Sequence, residues 1–170
     1  MQTAALITGL CAVFFGLLCY QLRKRKAIIA CNVISRVLYV LQYVLLGALE
    51  GAAMDLSAIP ASMLASRKHT PFGEKYRLLL WLGGNAAVLL IGWAFWENIY
   101  SLLPILGVLC EINALWMTKE KYIRLVSLAS LPFWMSYNVL CGAWGSVLGN
   151  VLMVGSILIA LYRHDRAAVA

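Results

Sequence analysis

Three ionisable side chains interrupt otherwise apolar stretches of this sequence. They are Arg36, Asp55 and Glu111. A charged side chain at the centre of a lipid bilayer costs about 2.5 to 3.5 kcal/mol on insertion scales, so each one needs a partner or a water-filled cavity. At about 1.5 Å per helical residue, Arg36 and Glu111 fall at nearly the same depth. The pattern predicts either an ion pair that fastens two helices or part of a binding site for a polar solute.

Polar and aromatic residues at helical spacing extend this set. Tyr39 lies on the same helical stripe as Arg36, and Trp134 and Asn138 form the corresponding stripe of a later segment. The predicted solute-binding residues are therefore Arg36, Tyr39, Asp55, Glu111, Trp134, Asn138 and Asn150. Binding is the favoured interpretation for the charged residues, because a buried ion pair is an expensive fastener. Packing is favoured for Tyr39 and Trp134, since aromatic residues at this spacing usually fill a core.

The composition places these residues in lipid. Of the 170 residues, 63% are hydrophobic and 12% are charged, which is too apolar for a water-soluble core and shell. A membrane-crossing helix needs about 20 mostly apolar residues, and seven such runs cover roughly 3–22, 27–47, 51–66, 78–96, 99–117, 122–142 and 144–162. We therefore predict an all-α, polytopic membrane protein with seven transmembrane helices and short loops.

The basic residues occur in every second loop. They fall within 23–26, 67–77, 119–124 and 163–166, whereas the other loops hold Glu50 and Glu97 and no Lys or Arg. Positive residues in short loops mark the cytoplasmic side, so we expect the N-terminus outside and the C-terminus inside. The first run lacks a basic start and a cleavage site, which favours a retained helix. The net charge of +7 is spread between membrane crossings, so we expect no nucleic-acid partner.

No motif in the sequence indicates a metal site, a disulfide or an enzyme active site. The five cysteines lie inside apolar runs without CxxC spacing, so we expect buried free thiols and no metal or cofactor. No stretch has the spacing of a nucleophile and its base, of a zinc site or of a phosphate loop. The sequence therefore favours a protein that is not an enzyme.

The chain contains an internal repeat. Shifted by 95 positions, residues 24–69 align with 119–164 without a gap, and the basic ends, Gly47 with Gly142 and His69 with His164 stay in register. We divide the chain into a first three-helix repeat (1–69), a linker helix (70–97), a second three-helix repeat (98–164) and a cytoplasmic tail (165–170). The linker lets both repeats cross in the same direction, as in transporters whose parallel repeats enclose a solute site near the membrane centre.

This 3+1+3 arrangement resembles the SWEET sugar transporters and the wider PQ-loop group. That family has prolines in the first two helices of each unit, where they act as flexing points. Pro104 and Pro132 match these prolines in the second repeat. The equivalent positions of the first repeat hold Gly9 and Val37. Pro104 is followed by isoleucine rather than the glutamine of a PQ motif. Pro60 inside the third run would also permit a bend. The resemblance implies hinges at Pro104 and Pro132, and the bend at Pro60 completes the set of predicted hinges.

Two further features carry the resemblance. The family has a pocket asparagine on its third helix, to which Asn150 and its counterpart Asp55 are similar. A closer resemblance, to the YgjV-type bacterial inner-membrane proteins, covers nearly the whole chain. The stretches LLPILGVLCEINAL and FWMSYNVLCGAWGSVLG are similar to the signature of that family. That family implies a multi-pass protein of the bacterial inner (plasma) membrane and no particular biochemical role.

These expectations lead to two functions. In the first, the protein carries a small polar solute, sugar-like or otherwise ring-shaped, by passive or proton-linked alternating access between the repeats. In the second, it is a membrane receptor or an assembly scaffold with the same fold. The expected partners are the lipid bilayer and, in the first case, the solute. The sequence leaves homo-oligomerisation open.

Overall fold

The computed structural model describes residues 1–19 and 25–165, and this part of the chain is all-α, as predicted. It contains eight α-helices and one short 3-10 helix. Their bounds are α1 Gln2–Cys19, α2 Arg25–Leu46, α3 Leu49–Ala65, α4 Pro71–Lys75, α5 Arg77–Ala94, the 3-10 helix Ile99–Ser101, α6 Leu102–Trp116, α7 Glu120–Leu140 and α8 Trp144–Asp165. Each α-helix except the five-residue α4 begins and ends within a few residues of one of the seven predicted runs.

Among the described residues, three stretches are long and apolar enough to cross a membrane by length and composition. They are Arg77–Ala94, Ile99–Trp116 and Trp144–Arg163. Shorter apolar stretches lie in α1 and α2. Helix α5 buries only Val88 and Gly92 against the protein, which leaves most of its apolar surface outward. An apolar exterior of this kind is what lipid contact requires.

Two glycines make tight turns between antiparallel helices. Gly47 follows α2 with a φ of 75°, and Gly142 follows α7 with a φ of 71°. Glycine suits this left-handed region because it lacks a Cβ. The next amide closes each helix end: Ala48 N donates to Tyr43 O at 2.9 Å, and Ala143 N donates to Asn138 O at 2.8 Å. These matching Schellman motifs place α3 beside α2 and α8 beside α7.

The helices pack in a reciprocal pattern. Helix α1 packs on α2 and α8, whereas α6 packs on α7 and α3. Helix α2 packs on α3, and α7 packs on α8. Helix α5 packs on both α3 and α6. A Cβ on Gly145 would lie 2.8 Å from Gly9 Cα, and one on Gly149 would lie 2.8 Å from a Val13 methyl. From the first contact to the second, the residue number rises by four on each helix. Helices α1 and α8 therefore run parallel, and they approach closely.

The predicted hinge prolines lie within continuous helices. Pro60 is inside α3 and Pro132 is inside α7, whereas Pro104 is buried as the third residue of α6. No break in these helices accompanies the prolines. Of the predicted termini and loops, Arg23, Lys24 and residues 166–170 lie outside the described residues, and α8 extends to Asp165.

Candidate functional site

Arg36 joins two carboxylates from different helices. Its Nη1 donates a hydrogen bond of 2.7 Å to Asp55 Oδ1, and its Nη2 lies 3.7 Å from Glu111 Oε2. Arg36 belongs to α2, Asp55 to α3 and Glu111 to α6. The structure thus brings together the three ionisable residues singled out in the sequence, with Asp55 as the closer partner. We call these three residues the charged cluster.

The members of the charged cluster differ in exposure. The Arg36 side chain is 20% exposed and Asp55 is 9% exposed, whereas Glu111 is 28% exposed. With all three groups ionised, the cluster carries two negative charges and one positive charge. Glu111 is therefore the most accessible member of the charged cluster, whereas Asp55 pairs with Arg36 from the more buried side.

Trp134 packs inside an aromatic group beside the charged cluster. Its ring stacks on Tyr43 with centroids 6.2 Å apart, and it meets Tyr137 edge-on at 6.3 Å. It also lies against Gly107, where a Cβ would come within 2.8 Å of its indole nitrogen. Trp134 is 5% exposed. In this conformation its ring faces are covered, so core packing accounts for it.

Asn138 takes part in a buried polar network between the two halves of the chain. Tyr43 Oη donates to Asn138 Oδ1 at 2.7 Å, and both residues are almost fully buried. Nearby, Ser146 Oγ donates to Gln42 Oε1 at 2.6 Å. These bonds tie α2 to α7 and α8. Asn138 was predicted from the sequence, whereas Gln42 and Ser146 were not.

A matching bond lies on the other side of this network. The backbone N–H of Gly51 donates to Tyr137 Oη at 2.9 Å. Tyr137 stands 95 positions after Gln42, and Ser146 stands 95 positions after Gly51. The 95-residue shift could have drawn attention to these four positions. It failed to do so because their residue types differ between the two copies.

Asn150 and Tyr39 lie at a different helix pair. Tyr39 Oη is 2.9 Å from the point where a Cβ on Gly149 would lie, so the tyrosine reaches the stretch of α8 that carries Asn150. The Asn150 Nδ2 is buried and has no hydrogen-bond partner among the described residues. The same holds for Arg36 Nε and Gln42 Nε2. A buried donor without an acceptor costs free energy, so these three atoms are unfavourable in the conformation described.

A second polar group, which the sequence analysis missed, joins α5 and α6. Trp81 Nε1 donates to Asn113 Oδ1 at 2.7 Å, and Asn113 Nδ2 donates to Asn85 Oδ1 at 2.8 Å. Trp81 and Asn113 also line a cleft of about 570 Å³ between α4, α5 and α6, which we call the interhelical cleft. Its other lining residues are Glu74, Lys75, Arg77, Leu78, Trp116 and Met117.

A larger apolar groove of about 810 Å³ lies on α7 and α8 and includes Pro132. None of the predicted solute-binding residues lines this groove or the interhelical cleft. Within residues 1–19 and 25–165, no three His, Cys, Asp or Glu side chains are grouped as a metal site. The charged cluster is therefore the candidate site that the sequence and the structure share.

Comparison with known proteins gives a family. Residues 3–168 match the family model Imp-YgjV, described as a bacterial inner membrane protein. No curated protein and no solved structure matches the chain. The match covers nearly all of the 170 residues, and the long apolar helices agree with the location that it states. The chain belongs to the Imp-YgjV family of bacterial inner membrane proteins and is an integral, multi-pass protein of that membrane.

Proposed function

We propose that this inner-membrane protein carries a small polar solute by alternating access between two three-helix repeats. The solute is sugar-like or another ring-shaped compound, and we propose no catalytic activity. The observation that carries the proposal is the charged cluster at the junction of α2, α3 and α6. Glu111, at 28% side-chain exposure, is its accessible member. Two carboxylates against one guanidinium would also allow a proton to travel with the solute.

The reciprocal packing supports a repeat with 3+1+3 architecture, similar to that of SWEET transporters. Helices α1, α2 and α3 would form the first unit, α5 the linker, and α6, α7 and α8 the second unit. The contact of α1 with α8 then corresponds to that of α6 with α3. The two glycine turns, 95 positions apart with φ values of 75° and 71°, occupy equivalent places. Parallel repeats of this kind place the solute site between the units.

The proposed topology has seven crossings, with the N-terminus outside and the C-terminus in the cytoplasm. It rests on the alternation of basic and acidic loops. A green fluorescent protein fused after Ala170 should fluoresce, because its fluorophore forms on the cytoplasmic side. An alkaline phosphatase fused at the same place should be inactive, because that enzyme becomes active only on the outer side. The opposite pair of results would contradict the orientation.

The buried aromatic group favours a second function, that of a non-transporting receptor or assembly scaffold. Trp134, Tyr43 and Tyr137 are 5%, 2% and 3% exposed, and Asn138 is 1% exposed. A packed centre with internal hydrogen bonds holds the two halves together without a solute. In a carrier, by contrast, this group must separate during the transport cycle.

Uptake by purified protein in liposomes distinguishes the two functions. The liposomes are offered labelled sugars, nucleosides and amino acids, with and without a proton gradient. We expect uptake of at least one class, and we expect Glu111→Gln to reduce it strongly while the protein remains folded. The matched control is Glu97→Gln, which removes an exposed carboxylate outside the helices and should leave uptake unchanged.

Two results would reject the carrier in favour of the second function. One is the absence of uptake across the whole panel by protein that is monodisperse and retains its helical circular dichroism. The other is uptake that Glu97→Gln and Glu111→Gln reduce equally, because the charged cluster would then have no specific part in transport.

A further inference from the structure

The interhelical cleft combines a basic end with an apolar body. Lys75 and Arg77 line it where α4 meets α5, and Leu78, Trp81 and Trp116 line it further along the helices. The polar Asn113 lies between these parts and is held by Trp81. A ligand that fills such a cleft needs a negative end and an apolar remainder.

The two cations of the cleft have no acidic partner. Among the described residues neither Lys75 nor Arg77 forms a salt bridge, although Glu74 also lines the cleft. Lys75 Nζ lies 5.3 Å from the ring centre of Tyr76, and Arg77 Nη2 is 3.5 Å from Trp116 O. Both contacts leave the positive charges uncompensated.

A third cation adds to the positive charge beside the cleft. Lys68 Nζ donates to Leu115 O at 2.8 Å and to Met117 O at 2.7 Å, at the end of α6. Burial and, after it, the charge of Arg77 lower the pKa of Lys68. An anion bound between α5 and α6 would offset the repulsion between these cations, whereas Glu74 alone leaves the region positive.

The cleft lies at the ends of two long helices, where we expect the border between lipid headgroups and hydrocarbon. Helix α5 begins at Arg77 and α6 ends at Trp116, so the cations stand at the helix ends. Beyond them, Leu78 is 67% exposed and Leu82 is 50% exposed on the outward surface of α5. Basic pockets between transmembrane helices at this level bind anionic lipid headgroups.

We propose that the interhelical cleft binds one anionic glycerophospholipid. The lipid phosphate contacts Lys75 and Arg77, and an acyl chain lies along Leu78 and Trp81 on α5. This site is separate from the charged cluster and does not depend on transport. The bound lipid joins α4 and α5 to the end of α6.

Native mass spectrometry of the purified full chain, titrated with phosphatidylglycerol or phosphatidylcholine, tests the proposal. We expect one phosphatidylglycerol molecule to bind more tightly than phosphatidylcholine. Each basic residue near an anionic headgroup contributes about fivefold in affinity, so Lys75→Gln with Arg77→Gln should weaken phosphatidylglycerol binding by about thirtyfold. Phosphatidylcholine binding should stay unchanged.

The matched control is Lys119→Gln with Lys121→Gln. It removes the same charge at the start of α7, from residues that do not line the cleft, and should keep the affinity for phosphatidylglycerol within about twofold if the effect is local. An equal loss in both double variants would overturn the proposal, because general attraction to anionic lipid would explain it. Retained affinity after Lys75→Gln with Arg77→Gln would overturn it as well.

Glycerol phosphate, which has the headgroup charge without acyl chains, separates a lipid site from a simple anion site. We expect no competition with phosphatidylglycerol at equal concentration. Full competition would overturn the lipid assignment. If the double variant does not fold, Lys75→Gln alone carries the test, since this exposed side chain makes no hydrogen bond to the described residues and its removal should cost about fivefold in affinity.

Discussion

Tyr43 and Asn138 stand 95 positions apart in the chain and are joined by a hydrogen bond of 2.7 Å. Ninety-five is also the shift that aligns the two proposed repeats, so each residue occupies the same place in its own unit. A two-fold axis brings equivalent positions into contact only where they lie next to the axis. The Tyr43–Asn138 bond therefore marks the proposed axis, with Gln42–Ser146 and Gly51–Tyr137 as a related pair of bonds around it.

The Tyr43–Asn138 bond should contribute measurably to stability. We expect Tyr43→Phe and Asn138→Leu each to destabilise the folded protein, because each leaves the other polar atom buried without a partner. In a double-mutant cycle, the two effects should be less than additive, with a coupling of about 0.6 kcal/mol and at most about 1.7 kcal/mol. The measurement is unfolding in detergent, followed by circular dichroism.

Tyr76→Phe is the control for this cycle, because Tyr76 is 38% exposed and lies outside the buried network. It should show no coupling to Asn138→Leu. Additive effects of Tyr43→Phe and Asn138→Leu would contradict the hydrogen bond as a stabilising contact.

Gly145 should be intolerant of any side chain. A Cβ there would lie 2.8 Å from Gly9 Cα and 2.9 Å from Gly9 C, which are backbone atoms that cannot rotate away. Gly145→Ala should therefore separate α1 from α8 and cost about 1 to 3 kcal/mol. The measurement is the thermal midpoint in detergent.

Gly155→Ala provides the matched control on the same helix. Apart from the adjacent backbone of α8, no atom of the described residues lies within 4 Å of its added Cβ, and alanine is the better helix former. We expect Gly155→Ala to be neutral or stabilising by up to about 1 kcal/mol. Equal destabilisation by both substitutions would mean that α1 and α8 do not approach closely.

Removal of Arg36 should be more harmful than removal of an exposed cation. Arg36→Leu leaves two carboxylates without their counter-charge, which typically costs about 3 to 5 kcal/mol for a buried pair. Arg67→Leu, at an exposed position after α3, should change stability little. Expression in the membrane and the unfolding midpoint measure both effects.

A second substitution should partly rescue Arg36→Leu, and the choice of carboxylate matters. Asp55 is 9% exposed and lies 2.7 Å from the guanidinium, whereas Glu111 is 28% exposed and 3.7 Å away. Adding Asp55→Asn should therefore restore more stability than adding Glu111→Gln, because the more buried charge is the more expensive one to leave unpaired. The opposite order would assign Glu111 as the main structural partner.

The two glycine turns should respond alike to substitution. Gly47→Ala and Gly142→Ala each force a side chain into a left-handed conformation, at a cost of about 1 to 2 kcal/mol. Asparagine tolerates this conformation better, so Gly47→Asn and Gly142→Asn should cost less. Thermal unfolding of the four variants provides the comparison. Indifference to alanine at either turn would show that its positive φ is not required.

The helical elements followed from simple sequence features. Apolar run length predicted the seven long helices to within a few residues, because the backbone in lipid must satisfy its own hydrogen bonds. Helix α4 was missed because five residues are too few for a periodic pattern; the Thr70 cap, which accepts from Gly73 N, was its available signal. Counting residues along each helix predicted that Arg36 and Glu111 lie at nearly the same level, and the two side chains are 3.7 Å apart.

Side-chain partners were harder to predict. The sequence identified Arg36 and Glu111 as a pair by depth, but the nearer partner in the fold is Asp55. It included Trp134 among the solute-binding residues while favouring packing for it, and in this conformation Trp134 packs on Tyr43 and Tyr137. In a membrane protein, lipid-facing and core-facing surfaces are both apolar, so hydrophobic periodicity does not say which face is buried.

By itself, the sequence determined that the chain is an all-α protein of the membrane, where its long helices begin and end, and which charged residues must find partners within them. These properties depend on the transfer of residues from water to lipid, which acts on each segment separately. The tertiary structure alone decided that Asp55 holds Arg36, that Tyr43 meets Asn138, and that Lys75 and Arg77 share a cleft with Trp81. Those contacts depend on how each helix is rotated and crossed against its neighbours, and close packing sets that only when all the helices are in place.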